Sequence, residues 1–229
     1  KQAGALFGRD AQGLLEDCEL EGNTRAAVEI RGSGNPTLRR CTARRCGDVG
    51  VMVHDRGRGT FEDCDLAEAA WAVLVVRRGA APVLRRCKIH DGLKAGALLA
   101  ARGGGLLEEC EVFANAGPGV VIGDDANPML KGCQIRDNGQ AGVAVGEKGR
   151  GTLEQCAISG NGLAGLVIGA GAAPQVRGCR IEHNRDAGVW ARRGAAGSVE
   201  GCDLTDNREG ALDLESGARL QLRDNRTGP

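Results

Sequence analysis

Nine of the ten cysteines stand at positions 18, 41, 64, 87, 110, 133, 156, 179 and 202, so every interval is 23 residues. A fixed period over the whole chain demands one structural unit per repeat and leaves no stretch for a second domain. Other columns keep the same period. Three residues before the cysteines stand Leu15, Leu38, Phe61, Leu84, Leu107, Leu130, Leu153, Val176 and Val199. Two after them stand Leu20, Ala43, Leu66, Ile89, Val112, Ile135, Ile158, Ile181 and Leu204. Five after them come Asn23, Asn115, Asn138, Asn161, Asn184 and Asn207, with Cys46, Ala69 and Gly92 as exceptions. Further on, apolar pairs alternate with period 2, as in Val51/Val53, Val120/Ile122 and Val143/Val145, usually after a glycine.

Two short period-2 segments joined by Gly/Asn turns leave no room for a helix, which would need apolar residues at 3–4 spacing over about ten positions. A leucine-rich repeat of this length carries its Asn on a different spacing. The pattern predicts an all-β fold, a single-stranded right-handed parallel β-helix (solenoid) of about ten coils, one repeat per coil, roughly 48 Å long at about 4.8 Å per coil. Handedness follows from the preference for right-handed crossovers. One such domain is expected over 1–229.

A second period of 46 lies inside the first. Two residues before the cysteine column stand Glu16, Arg39, Glu62, Arg85, Glu108, Lys131, Glu154, Arg177, Glu200 and Arg223. The signs alternate throughout, so stacking in register places opposite charges on neighbouring coils, a gain of roughly 0.2–1 kcal/mol per pair. A turn column alternates too: Pro36, Gly59, Pro82, Gly105, Pro128, Gly151, Pro174, Gly197.

The stretches "GNPTLRRC", "GRGTFEDCDL" and "GRGTLEQCAISGN", with the "AGVxV" segments, resemble right-handed β-helix repeats of the carbohydrate-binding and sugar-hydrolase type, and most of all the β-helix domain of F-box substrate receptors and its bacterial relatives. The resemblance spans nearly the whole chain. It implies the fold; for function it implies either a scaffold that holds a substrate protein or a polysaccharide enzyme, because one fold hosts both.

Cysteines in clusters such as C-x₂-C bind metal, and a catalytic thiolate is one activated group among many inert ones, so nine equivalent residues fit neither role. Parallel Cβ vectors also keep stacked cysteines too far apart to bridge. The column is expected to be an inward ladder of free thiols, and so many of them favour a reducing, cytoplasmic compartment. Cys46, with C-x₄-C to Cys41, is read as filler. The asparagines are expected to turn the chain and to bond from coil to coil. Thirty basic and thirty acidic residues balance, which gives no reason to expect nucleic acid or an anionic membrane as partner. No apolar run reaches the roughly 20 residues of a membrane span. The opening "KQAGALFGRD" reads as a boundary inside a longer protein, without a leader pattern.

Polysaccharide enzymes of this architecture carry acidic clusters, calcium-holding in pectate lyases. Here Asp124 and Asp125, with Glu147 one coil on, are the candidates, while "NTD", "GHG" and "RIK" partners are missing. His54, His90 and His183 are expected at the surface. The most distinctive column lies between the inward pairs: Glu29, Met52, Val75, Leu98, Val121, Ala144, Val167, Trp190, Asp213. Its uncharged run from Met52 to Trp190 on a water-facing sheet predicts contact with something. Asp48, Trp71 and Lys94 border it on one side, and His54, Arg77, Arg78 and Arg102 on the other, like the rim of an interface.

These observations predict a scaffold without cofactor or bound metal. It would present Met52, Trp71, Val75, Arg77, Arg78, Lys94, Leu98, Arg102, Val121, Val167 and Trp190 to a protein partner or a second copy. The alternative is a carbohydrate-active enzyme or glycan-binding module working near Asp124, Asp125 and Glu147.

Overall fold

A computed structural model describes residues 3–228 and consists of three parallel sheets wound into a solenoid, with no helix among the described residues. Sheet A has ten strands, from Ala5–Phe7 through Ala72–Val76 to Leu212–Leu214. Sheet B, also of ten, runs from Leu14–Glu16 to Arg219–Arg223, and the eight strands of sheet C from Glu19–Glu21 to Arg180–Glu182. Each strand pairs with the one a repeat later: Leu38 faces Phe61, Ile135 faces Ile158, Val121 faces Ala144. The architecture and its 23-residue turn are those expected from the cysteine spacing.

The interior is the sum of the inward columns. Leu84, Leu107, Leu130 and Leu153 stack on sheet B, Ile89, Val112, Ile135 and Ile158 on sheet C, all inaccessible to water. The cysteines from Cys41 to Cys202 are buried and free, and Cys18 at the N-terminal end is half-buried. In the ladder from Cys41 to Cys202, Cys46 aside, each thiol lies near carbonyls of its own and the previous coil, as Cys87 Sγ does at 3.3 Å from Arg85 O and 3.5 Å from Phe61 O. Burial pushes the Cys41 and Cys46 thiols up, away from the reactive thiolate.

The asparagine ladder closes inside the solenoid. Nδ2 of Asn115, Asn138, Asn161 and Asn184 each donates to Oδ1 of the next asparagine at 2.9–3.0 Å. That same oxygen also accepts from the backbone N–H of the preceding asparagine, at 3.1–3.2 Å. Glycine is required beside it, because a Cβ on Gly119 would lie 2.7 Å from Asn138 Nδ2, and one on Gly165 2.7 Å from Asn184 Nδ2. The three exceptions to the asparagine column show the converse. Ala27 accompanies Cys46, Gly50 accompanies Ala69, and Val73 accompanies Gly92, where a glycine Cβ would lie 3.0 Å from Val73 Cγ2. In the last of these an apolar side chain stands in the room that an amide occupies elsewhere.

On the outside of sheet B the alternating charges meet. Arg39 pairs with Glu62 at 2.8 Å, Arg85 with Glu108 at 3.2 Å, Lys131 with Glu108 at 3.6 Å and Arg177 with Glu200 at 3.7 Å. Glu154 and Arg223 close no pair within 4 Å among the described residues, so the alternation chiefly removes repulsion there. These contacts are solvent-screened and individually modest.

Candidate functional site

The first four complete coils differ from the rest on sheet A. Their strands, Ala26–Ile30, Val49–Val53, Ala72–Val76 and Ala95–Leu99, have five residues, against three in Val120–Ile122 and the strands after it up to Val189–Ala191. Val49, Ala72 and Val75 form a small apolar cluster on the outer face, with Met52, Ala95 and Leu98 packed against it. The sequence places an exposed strip here, and the structure corrects that reading at its centre: Val75 is only 1% exposed. Met52, Leu98, Val121, Ala144, Val167 and Trp190 are half-buried, and Trp71 stands out at 39% exposure. The cause is lateral packing by the longer strands. Lys94, Arg78 and Arg102 are exposed on the flanks, as the sequence suggests.

Where this cluster meets the first coils there is a pocket of about 250 Å³. Its polar lining is Arg25, Glu29, Arg31, Asp48, His54 and Arg77, with Met52 and Leu6 as the main apolar walls. Arg31, His54 and Arg77 follow the sheet A strands of successive coils, each N–H donating to a carbonyl of the coil before. Glu29 is the fourth residue of its five-residue strand, one coil before Met52.

His54 was expected at the surface; it is buried, with 8% exposure, and this too is a correction. Nε2 lies 3.1 Å from Glu29 Oε1 and Nδ1 2.7 Å from Asp55 Oδ2. Arg31 approaches Glu29 at 3.6 Å, and Arg78 approaches Asp55 at 3.6 Å. The hydrogen bond from His54, with Arg78 nearby, holds the Asp55 carboxyl below the usual range. Arg77 is different: its Nε is buried and meets no acceptor among the described residues. Leaving that N–H unpaired costs about 1–3 kcal/mol, and the same side chain lines the pocket.

Sequence reasoning named His54 and Arg77 only as rim residues and gave Glu29 no role. A spacing signal was present. A cation at i, a carboxylate at i+1 and another at i−25 recur in His90 with Asp91 at 2.6 Å and Asp65 at 2.7 Å, and in Arg136 with Asp137 and Glu111, both at 3.1 Å. One coil plus two residues brings two outward side chains together diagonally. His90 sits on sheet C, stacked on Phe113 at 4.7 Å, and does not meet His54. His183 is exposed in a turn.

The alternative acidic site does not gather. Asp124 and Asp125 occupy left-handed turn positions at φ 49° and 61°, and both are exposed, as is Glu147. No group of three or more metal-ligating side chains occurs among the described residues.

The A-module of the Azotobacter vinelandii mannuronan C-5 epimerase AlgE4 superposes with a TM-score of 0.69 at 16% identity, over 87% of this chain and 63% of that one. Pectate lyase Pel9A gives 0.74 at 10% identity, over 92% and 65%. The periplasmic alginate epimerase AlgG gives 0.65 at 13%, over 96% and 60%. The chain thus spans less than two thirds of the length of these three proteins, and the likeness is one of fold. No curated protein sequence matches. The right handed beta helix region family matches residues 1–100 and 71–227, overlapping matches that together run nearly end to end. In sequence repeat, sheet pairing and family match alike, this chain belongs to the right-handed β-helix family.

Proposed function

We propose that this β-helix is a carbohydrate-active module whose site is the pocket on sheet A around Glu29, His54 and Arg77, and that its ligand is an anionic polysaccharide. The observation that carries this reading is the pairing of an imidazole held by two carboxylates with an arginine whose Nε lacks a partner, on one pocket wall. Arg25 and Arg77 make no ion pair within 4 Å among the described residues, so their charge is available to a ligand carboxylate. Neutralising a carboxylate acidifies the C–H beside it. Both ring nitrogens of His54 are taken by carboxylates, so the group placed to accept that proton is Glu29, held by His54 at 3.1 Å, a contribution of typically 10²–10⁴ in rate. Asp55 fixes the ring that positions Glu29; Trp71 offers a half-exposed aromatic face at the border. Names of similarly folded proteins, acting on mannuronan, alginate and pectate, support the same class. The site lies two to five coils from Asp124, Asp125 and Glu147, where the sequence suggested one.

The test is titration of the chain with polymannuronate and polygalacturonate, followed by calorimetry for binding and by NMR and ultraviolet absorbance for inversion or chain cleavage. Binding that is lost in Arg77→Met, with turnover lost in Glu29→Gln, is the expected result. Absence of binding to any polyuronate would remove the reading.

A protein partner or second copy on the apolar strip is the second reading, supported by the exposure of Trp71 and of neighbouring Leu93 at 68%. Leu98→Lys that dissociates an assembly in sedimentation would establish it; a monomer insensitive to that change would end it.

A further inference from the structure

Resting on the anionic-glycan reading above, we infer that the ligand crosses the solenoid instead of following its axis, leaving the pocket over the turn that carries Arg56, Arg78 and Arg102. Just beyond Arg31, His54 and Arg77 the chain turns from sheet A towards sheet B. There a second concavity of about 550 Å³ is lined by Gly32, Asp55, Arg56, Arg78, Gly79 and Arg102. Asp55 belongs to both places: it lines this concavity and holds His54 of the first pocket at 2.7 Å. Arg77 and Arg78 are consecutive, one facing each.

The arginines here are not there for internal pairing. At the sheet B–C turn, Arg40 and Arg86 are closed on Asp17 and Asp63 by two hydrogen bonds each, at 2.7–3.0 Å. Arg56 and Arg102 have no ion pair within 4 Å among the described residues, and Arg78 reaches only Asp55, at 3.6 Å, which already serves His54. Nor do they serve the turn. Arg56 and Arg102 sit in the left-handed region at φ 64° and 62°, at the register that Gly79, Gly171, Gly194 and Gly217 fill in other coils. A side chain there costs about 1–2 kcal/mol relative to glycine. Uncompensated positive charge is thereby concentrated beside the pocket, in a chain whose net charge is zero.

The axial route offers an anion the opposite. Beyond Leu98 the floor is Val121, Ala144 and Val167, and the positions that carry Arg31, His54 and Arg77 in the early coils become Gly123, Gly146 and Gly169. The turn beside them bears the exposed carboxylates of Asp124, Asp125 and Glu147. That side of the floor has no side-chain donors at its edge, and the turn beyond it, with Lys148 set against three carboxylates, is net negative.

The experiment uses the intact chain and calorimetric titration with a uronate disaccharide and a uronate octasaccharide of one series. The turn variant is Arg56→Gly with Arg102→Gly, which installs the residue the fold already uses at that register and so preserves folding. The axial variant, Ala144→Trp with Val167→Trp, obstructs the sheet beyond Leu98; circular dichroism verifies both. Crossing predicts at least a tenfold loss of octasaccharide affinity in the turn variant, disaccharide affinity within twofold, and both ligands unaffected by the axial variant. Unchanged octasaccharide binding in the turn variant, or its loss in the axial variant, overturns the crossing while the pocket reading stands. Failure of the unaltered chain to bind either ligand overturns both.

Discussion

Nε2 of His54 lies 3.1 Å from Oε1 of Glu29, a residue one coil earlier. With Asp55 at 2.7 Å on Nδ1, the ring is fixed from two sides and cannot rotate freely. Replacing Glu29 by Gln keeps the volume and removes the charge. Turnover on the preferred polyuronate should fall by about 10²–10⁴-fold while the melting temperature moves little; His54→Asn, which only loosens Glu29, should cost about 10–100-fold. Initial rates and thermal unfolding of the two variants check this. Equal losses of rate and of folded protein would reduce the pair to a structural contact.

The asparagine ladder predicts a stability effect of its own. Asn161→Ala removes a side chain whose Nδ2 faces three oxygens, from Ile135, Ser159 and Asn184, and whose Oδ1 serves Asn138. Each orphaned buried group costs about 1–3 kcal/mol, so a drop of about 2–4 kcal/mol in the denaturant-derived stability is expected.

Ala27/Cys46, Gly50/Ala69 and Val73/Gly92 suggest a rescue. Gly142→Val alone should destabilise strongly, since its Cβ would lie 2.8 Å from Asn161 Nδ2 and 2.4 Å from Ile158 Cγ2. Adding Asn161→Gly copies the Val73/Gly92 arrangement and should recover part of the loss, giving a positive coupling in a double-mutant cycle. Strictly additive losses would contradict the proposed exchange of volume.

Thiol chemistry checks the interior. A disulfide reagent should label the native chain at Cys18 first, the one half-buried cysteine, and reach all ten only after unfolding. Rapid labelling of several thiols without denaturant would mean the coils open locally.

Acid should loosen the coil-to-coil ion pairs. Asp17, Asp63 and Glu21 are held below their usual ranges by hydrogen bonds from Arg40, Arg86 and Arg45. A depressed folded value means that the stabilisation is present above the unfolded value, about 4, and is lost as pH falls through the folded one. The denaturation midpoint should therefore be flat from neutral pH to about 5 and decline below about 4, less so in high salt, where the screened pairs contribute least.

Much of this was legible in the residues because a solenoid makes register a sequence property. Leu153, Cys156 and Ile158 had to face inward once Glu154 and Asn161 fell into their columns, and the sheets bear this out. The site was less legible for the same reason. Column reading compares residues 23 apart, whereas Glu29 and His54 meet across an offset of 25, on a diagonal that no single column displays. Val75 was misjudged because burial on an outer face depends on lateral neighbours, here Val49 and Ala72, which belong to another column.

The alternating signs on sheet B also limit how such a molecule can change length. Deleting one repeat, for instance residues 110–132, would set Glu108 beside Glu154, a like-charge junction in a column that otherwise alternates. Deleting 46 residues would leave each glutamate facing an arginine or lysine. Lengthening and shortening by duplication are thus permitted in pairs of coils, and a lineage that gains a single coil must also replace a charge.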